Sequence, residues 1–191
     1  QTLKTNYMRF LLQLKHWQLF LLTWGSAIFI SVYTISDPAL SEKLYPFMMF
    51  FFALGTWGWI WAIATGLQHQ VPVDVKLKFK KFKILFLIPV VYLMIILVGT
   101  STSAFHRFGG EENSFSAFEA VLIIVHLISM FGVFYGLRFA AKTMKTVELG
   151  RLAKFSDYAG EFFLIWFSFL GYWILQPRLN RSVKQADNNH D

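Results

Sequence analysis

Three histidines lie where an imidazole could bind a cofactor or carry a proton. His126 is deep within an apolar stretch, where polar groups are functional candidates by default. Glu119 precedes it by seven residues, two turns along the same helical face, so the pair could form a proton pathway or a ligand site. A neutral imidazole that hydrogen-bonds to another helix is the simpler interpretation of His126.

His16 and His69 lie at the ends of two other apolar stretches, where antiparallel packing could bring them together for haem b or a metal ion. Spacing alone is weak evidence, so no cofactor is predicted.

A trio of tryptophans, Trp57, Trp59 and Trp61, is clustered in the middle of one apolar stretch. The odd spacing distributes the rings around a helix, and tryptophan at mid-membrane is less usual than tryptophan at the interface. Such rings could contact a quinone, a haem or a lipid. Bulky packing against neighbouring helices or acyl chains is the interpretation that we favour.

Five lysines alternate with apolar residues in one short run: Lys76, Lys78, Lys80, Lys81 and Lys83. Beside a membrane helix, such a run predicts contact with anionic phospholipids, at about 1 kcal/mol per base near the surface. It is also an orientation signal. Bases interleaved with aromatic residues can bind nucleic acid, but the position of this run favours lipid, so no nucleic-acid partner is predicted.

The acidic residue Glu161 precedes the last apolar stretch, where a carboxylate suits a helix N-terminus. It could pair with Arg138 or Arg151, and structural pairing is the prediction over catalysis. The sequence contains no Gly-rich phosphate loop, no G-x-S-x-G and no H-E-x-x-H motif. It also has no Cys, which excludes zinc–thiolate and iron–sulfur sites. These observations predict a protein that is not an enzyme and has no metal site.

Small residues recur at four-residue spacing in two apolar stretches. They are Gly58, Ala62 and Gly66 in one stretch, and Gly132, Gly136 and Ala140 in the other. Such stripes let helices approach closely, which matters in lipid because packing replaces the hydrophobic driving force. Gly and Ala are also simply common in membrane helices. The two stripes predict close packing, either within the chain or with a partner.

The composition identifies the elements that must position these residues. Of the 191 residues, 55% are hydrophobic and only 15% are charged, whereas a soluble domain has about 25% charged residues. This excludes a soluble enzyme, a disordered tail and a conventional nucleic-acid binder. A spanning helix needs roughly 20 mainly apolar residues. Four stretches meet that requirement: Trp17–Ser36, Pro46–Leu67, Ile84–Thr102 and Phe118–Ala141.

A fifth apolar stretch, Phe162–Leu175, has 14 residues, and that length is typical of a re-entrant or interfacial segment as well as of a short span. A polar tail follows over residues 178–191. The predicted fold is an all-α membrane protein, a helical bundle of four spanning helices plus a short fifth segment, in a single domain over residues 1–191. The first stretch is too long for a signal-peptide core, so we expect it to be retained.

The basic residues predict the orientation of the chain. The formal net charge is +7, and 13 of the 18 bases lie before the first stretch, between the second and third, or at the end of the fourth and after it. The alternate loops, residues 37–45 and 103–117, hold only Lys43 and Arg107. The positive-inside rule therefore predicts a cytoplasmic N-terminus. Arg178, Arg181 and Lys184 would be outside if the fifth segment spans and inside if it is re-entrant, and we expect the second.

Several motifs resemble those of an uncharacterised family of small multi-pass inner-membrane proteins of Gram-negative bacteria. The motifs are Lys15-His16-Trp17-Gln18-Leu19-Phe20, Val147-Glu148, Phe155-Ser156-Asp157-Tyr158, Gly160-Glu161-Phe162-Phe163-Leu164-Ile165-Trp166-Phe167 and Gln176-Pro177-Arg178-Leu179-Asn180. The resemblance covers the whole chain and is specific in its carboxy-terminal quarter. It implies a bacterial inner membrane and supplies no activity. The family often has a proline in the fifth segment, where this chain has Phe169.

These features together predict a non-catalytic accessory, assembly or stabilising subunit of a larger membrane complex. Its expected partners are phospholipids and other membrane protein subunits. Two alternatives stay open. One is a haem- or quinone-associated electron-transfer subunit that uses His16, His69 or His126, and the other is a small transporter or proton pathway through Glu119 and His126.

Overall fold

The computed structural model describes residues 10–101 and 117–188, and these residues form helices and no strand. The elements are α1 (His16–Phe20), a π-helical turn (Leu21–Gly25), α2 (Ser26–Tyr33), α3 (Pro38–Gly66), a 3-10 turn (Gln68–Gln70), α4 (Phe79–Ser101), α5 (Ala117–Leu149), α6 (Phe155–Trp166) and α7 (Ser168–Asn188). The predicted all-α fold is confirmed. Arg107 and the bases before residue 10 lie outside the described residues.

Three of these helices are long and apolar enough to cross a membrane. They are α3 with its 3-10 extension, at 33 residues, the first 21 residues of α4, and α5, at 33 residues. At about 1.5 Å per residue, even the shortest is about as long as the roughly 30 Å hydrocarbon layer is thick. The three helices are consistent with a membrane protein.

The first predicted span, Trp17–Ser36, is not one long α-helix, so four spanning helices are not confirmed. A π-helical turn separates α1 from α2. The hydroxyls of Thr23 and Ser26 donate to the carbonyls of Leu19 and Leu22, each at 2.8 Å. The same kind of bond joins Ser129 to the carbonyl of Val125 within the uninterrupted α5, so these bonds accompany the wider turn and do not account for it.

The second predicted span begins earlier than expected. Asp37 accepts a hydrogen bond from the backbone amide of Leu40 at 3.0 Å, and Pro38 occupies the first helical position. Both features start a helix, so residues 38–45 of the predicted loop are helical and Pro46 lies inside α3. The fourth predicted span also continues further as a helix, because α5 extends to Leu149. Gly150 follows, and its positive φ of 62° ends the helix.

The fifth predicted segment, Phe162–Leu175, is divided between α6 and α7 at Phe167. Gly171 of α7 lies against α6 so closely that a Cβ atom would be 2.0 Å from the carbonyl oxygen of Leu164. Farther from the turn, Glu161 of α6 and Arg178 of α7 form an ion pair. The two helices therefore fold back on each other as a hairpin, so the predicted fifth segment is not one continuous helix.

The predicted polar tail is mostly helical as well. Helix α7 continues through residues 178–188, and its Leu179 and Val183 are buried. Apolar residues at four-residue spacing give this part of the helix one buried face. The tail is therefore part of the packing over its described length.

The buried hydrophobic side chains lie at one end of the molecule. All of those found among the described residues belong to residues 10–25, 55–89 and 132–188, which we call the packed half. The open half consists of residues 26–54, 90–101 and 117–131, and it exposes large apolar side chains such as Phe29 and Leu127. Each of the three long helices contributes to both halves.

Candidate functional site

Four polar side chains occur at every fourth residue along α7: Ser168, Tyr172, Gln176 and Asn180. Spacing of four residues places them on one face of the helix. Ser168, Tyr172 and Gln176 are all buried. This polar row therefore points into the packed half rather than toward its surroundings.

Gln176 is the centre of the polar row. Its Oε1 accepts a hydrogen bond from the indole of Trp59 at 2.7 Å. Its Nε2 donates to the backbone carbonyls of Leu11, Leu12 and Leu14 at 3.0, 3.2 and 2.8 Å. Asn180 donates to the carbonyl of Leu12 as well, at 2.8 Å.

These carbonyls lie in and just after the short helical turn at residues 10–13, where the last carbonyls of a helix lack partners of their own. The two side-chain amides supply those partners. The polar row thereby connects residues 11–14, which we call the amino-terminal residues, to α7 and, through Trp59, to α3.

Ser168 and Tyr172, the other two members of the polar row, lie nearer the hairpin turn and bond to the π-helical turn and to α3. The indole of Trp24 donates to the hydroxyl of Ser168 at 3.2 Å. The hydroxyls of Tyr172 and Thr56 are 3.2 Å apart. Hydrogen bonds at four levels of α7 thus fix its register against α3 and the first helical segments.

Two acids and two bases form a second polar cluster, which joins α5, α6 and α7. Lys145 lies 3.3 Å from Glu148 and 3.1 Å from Glu161. Arg178 bonds to Glu148 through both Nε and Nη2, at 3.1 and 2.7 Å, and reaches Glu161 at 2.8 Å. The two positive and two negative charges balance, so we call this cluster the neutral network.

The carboxylate of Glu161 is the most buried charge of the neutral network. Burial alone would raise its pKa, but the hydrogen bonds from Arg178 and Lys145 outweigh burial, and the pKa of Glu161 lies below its usual value. A carboxylate held by two cationic donors stays ionised. This arrangement stabilises the ion pairs that close the hairpin against α5.

Neither base that the sequence suggested for Glu161 pairs with it. Arg138 instead donates through Nε to the hydroxyl of Tyr158 at 3.0 Å. Arg151 pairs with Asp157 at 2.9 Å. Asp157 also accepts from the backbone amide of Lys154 at 2.9 Å, so the first turn of α6 has an acid of its own for Arg151.

Four cationic side chains border a cavity of about 320 Å³ between α5 and the segment before α4. They are Lys76, Lys78, Arg138 and Lys142. The remaining lining residues, Leu77, Tyr135, Phe139 and Leu152, carry no charge. We call this the basic cavity.

The predicted basic run contributes to this cavity in part. Its five lysines are all exposed. Lys81 lies over the ring of Tyr135 at 5.6 Å, and Lys83 lies over the ring of Phe79 at 4.4 Å. The other two cations of the basic cavity come from α5, about 60 residues later in the chain, a separation that sequence spacing does not relate to the run.

The tryptophan trio is divided between two environments. Trp59 is fully buried in the packed half and bonded to Gln176. Trp57 and Trp61 border an apolar groove of about 480 Å³ between α3 and α4, with Phe86 on the opposite side. Both rings also contact the ring of Phe86, at 5.8 and 5.7 Å between centroids.

The three candidate histidines lie on different elements. The ring of His16 in α1 is 4.5 Å from that of Trp173 in α7. His69 is part of the 3-10 turn. In the open half, Nδ1 of His126 is 3.1 Å from the hydroxyl of Tyr92. Among the described residues, no three His, Asp or Glu side chains are grouped as a metal site would require.

The two small-residue stripes face other parts of the same chain. A Cβ atom on Gly58 or Gly66 would lie 3.0 or 2.5 Å from the side chains of Leu11 and Leu12. In the second stripe, Gly132 faces the carbonyl of Leu85 and Gly136 faces the ring of Phe86. The stripe members Ala62 and Ala140 are buried. The first stripe thus receives the amino-terminal residues, and the second receives α4.

The polar row is the main feature that sequence reasoning missed, although a signal for it exists. Ser, Tyr, Gln and Asn recur at four-residue spacing from within the apolar stretch into the polar tail. The apolar stretch over residues 162–175 ends one residue before Gln176. That boundary hid the continuity of the row.

No family model matches the chain, and comparisons with curated proteins and with solved structures also found no match. These comparisons therefore identify no family. The resemblance to inner-membrane proteins of Gram-negative bacteria stays a prediction from the motifs.

Proposed function

We propose that this protein is a non-catalytic accessory subunit that assembles or stabilises a larger membrane complex through helix and lipid contacts. The observation that carries the proposal is His126 in the open half. Its side chain is exposed, and Tyr92 is its one hydrogen-bond partner among the described residues. A second ring nitrogen that faces hydrocarbon without a partner is unfavourable.

A partner helix that covers this face would supply the missing polar contact. The same face carries exposed apolar residues of α5, including Ile123, Leu127 and Met130. Helix association in lipid depends on packing and on interhelical hydrogen bonds, and this face offers both. The partner is therefore expected to place a hydrogen-bonding side chain opposite His126.

The test is copurification from a mild detergent of the full-length protein with its neighbours. We expect His126→Ala to reduce the amount of the specific partner severalfold, because the interhelical hydrogen bond is lost. The matched control is Leu127→Ala, which removes an exposed apolar side chain from the adjacent position and should have a smaller effect. A wild-type chain that always purifies alone would contradict the proposal.

A cytoplasmic N-terminus in a bacterial inner membrane is part of the proposal. All described bases except Lys43 belong to the packed half, and the positive-inside rule assigns such an end to the cytoplasm. The ion pair between Arg178 and Glu148 supports a re-entrant α6–α7 hairpin, because Arg178 of the tail lies beside the end of α5.

The absence of Cys allows a direct test of this orientation. A single Cys introduced at the exposed Gln185 should react with a membrane-impermeant thiol reagent only after the cells are opened. A single Cys at the exposed Glu42 is the matched control and should react in intact cells. Labelling of Gln185→Cys from outside would contradict the re-entrant hairpin.

A further inference from the structure

The basic cavity is the part of the packed half whose charges are not balanced by the protein. Lys76 and Lys78 border it from the segment before α4, and Arg138 and Lys142 border it from α5. No acidic side chain lines the cavity. Four like charges around one space repel each other, and only solvent or a bound anion can offset that repulsion.

The neutral network provides a comparison on the same helix. Lys145 has two carboxylates within 3.3 Å. Lys142 lies one turn earlier and is half-buried, but its charged neighbours are Arg138 and Lys78, both positive. Its ammonium group has no hydrogen bond or ion pair with any described residue. The protein therefore balances the charges of one cluster and leaves those of the other unbalanced.

Arg138 is held in a fixed position at the border of the cavity. Its Nε donates to the hydroxyl of Tyr158 at 3.0 Å, and Tyr158 is itself buried. The two terminal nitrogens of this guanidinium find no acceptor among the described residues. A planar donor pair beside lysine ammonium groups suits the oxygens of a phosphate group.

We propose that the basic cavity binds one phosphate group, supplied by the headgroup of an anionic phospholipid. The uncharged walls formed by Tyr135, Phe139 and Leu152 favour a lipid over a free anion, because they would contact the glycerol and the first methylenes of the acyl chains. The site uses no residue of the open half. A failure to find a partner subunit would therefore not affect the proposed lipid site. A failure to find bound lipid would likewise not affect the proposed partner subunit.

The test compares two variants of equal charge in full-length protein. Lys78→Gln with Lys142→Gln removes two cations from the cavity, and Lys80→Gln with Lys184→Gln removes two exposed cations elsewhere in the packed half. Each protein is placed in nanodiscs of phosphatidylcholine and phosphatidylglycerol, and the retained lipids are measured by native mass spectrometry. We expect the cavity variant to lose phosphatidylglycerol by roughly 30-fold, on the basis of two lost lysine contacts. The control should retain the lipid.

A second measurement identifies the source of the phosphate. Thermal unfolding in a neutral detergent is compared in sodium phosphate and in sodium chloride at equal ionic strength. A lipid headgroup predicts selective retention of phosphatidylglycerol and little stabilisation by inorganic phosphate. Stabilisation by inorganic phosphate that depends on Lys78 and Lys142, without lipid retention, would support the phosphate site but assign it to a soluble anion.

Loss of fold is separated from loss of binding in the same experiment. Without an anion, the cavity variant should unfold at or above the temperature of the wild type, since mutual repulsion is reduced. If the cavity variant unfolds at a lower temperature than the wild type, the double variant Lys76→Gln with Lys78→Gln is used instead. Both of these side chains are exposed and lie outside the helices. Equal lipid retention and equal phosphate response of cavity and control variants would overturn the proposal.

Discussion

The two halves of the molecule are formed by the same three long helices but differ in how those helices are held. In the packed half, the α6–α7 hairpin and the amino-terminal residues fill the space around α3, α4 and α5, with the polar row and the neutral network between them. In the open half, the same helices expose apolar side chains. Apolar residues are therefore not what specifies packing here, because lipid accommodates them equally well. Polar contacts and close glycine contacts provide the specificity.

The strongest test of this comparison is Gln176→Leu. The substitution leaves the indole of Trp59 and the carbonyl of Leu11 without their side-chain partner. The carbonyls of Leu12 and Leu14 keep only their bonds from Asn180. Unsatisfied buried groups cost about 1–3 kcal/mol each, so we expect the free energy of unfolding to fall by roughly 3 kcal/mol. Reversible unfolding in mixed micelles measures it, and Gln185→Leu at an exposed position of α7 should change it little. A Gln176→Leu variant as stable as the control would show that the polar row does not hold the packed half together.

A smaller effect is expected at the hairpin contact. Gly171→Ala places a methyl group 2.0 Å from the carbonyl oxygen of Leu164, so the two helices must separate, at a cost of about 2 kcal/mol. Gly160→Ala is the matched control, because no atom lies within 4 Å of a Cβ atom at Gly160. It should stabilise α6 by up to about 1 kcal/mol through helix propensity. Equal effects of both changes on unfolding would contradict a closely packed hairpin.

The neutral network predicts that the free energy of unfolding depends on pH in the acid range, with a smaller effect than at the hairpin contact. The pKa of Glu161 in the folded protein lies below its usual value of 4.5. The stabilisation of the folded protein by the ionised Glu161 is therefore complete above about pH 4.5. It is lost as the pH falls through the pKa that Glu161 has in the folded protein. Glu161→Gln should remove that part of the acid sensitivity, although the partial exposure of Arg178 and Lys145 limits its size. Unfolding measured between pH 3 and pH 7 checks this, and Glu42→Gln should keep the wild-type profile.

The smallest effect is expected in the open half. Ile124 is 57% exposed, so Ile124→Ala should change the free energy of unfolding by less than about 0.5 kcal/mol. The matched change in the packed half is Leu175→Ala, at a fully buried position, where a cost of 2–5 kcal/mol is typical. Similar losses for both variants would remove the distinction between the two halves.

The long apolar helices could be predicted from the sequence because a run of about 20 apolar residues has few structural alternatives. The ends of the helices were less predictable. Asp37 and Pro38 start α3 through capping, which hydropathy does not measure. The π-helical turn at Leu21–Gly25 lies within the first predicted span, and an apolar count does not detect such a turn either.

The site contacts depended on the hairpin, and the hairpin could not be predicted from length alone. A stretch of 14 apolar residues suits a re-entrant segment and a short span equally. Only the fold brings Arg178 to Glu148 and Glu161, or places Gln176 against residues 11–14. The partners of Arg138 and Arg151 were likewise decided by the path of α6, which brings Tyr158 and Asp157 nearer to these bases than Glu161.

The bond between Gln176 and the carbonyl of Leu11 joins residues that are 165 positions apart in the chain. Ribosomes add about 5–20 residues per second, so the first helical turn is made roughly ten seconds or more before its partner exists. During that interval its carbonyls must be hydrated at the membrane surface or held by the insertion machinery. The order of synthesis thus places α7 well after the turn whose carbonyls it binds, and a chain shortened before Gln176 would leave those carbonyls without the two side-chain amides.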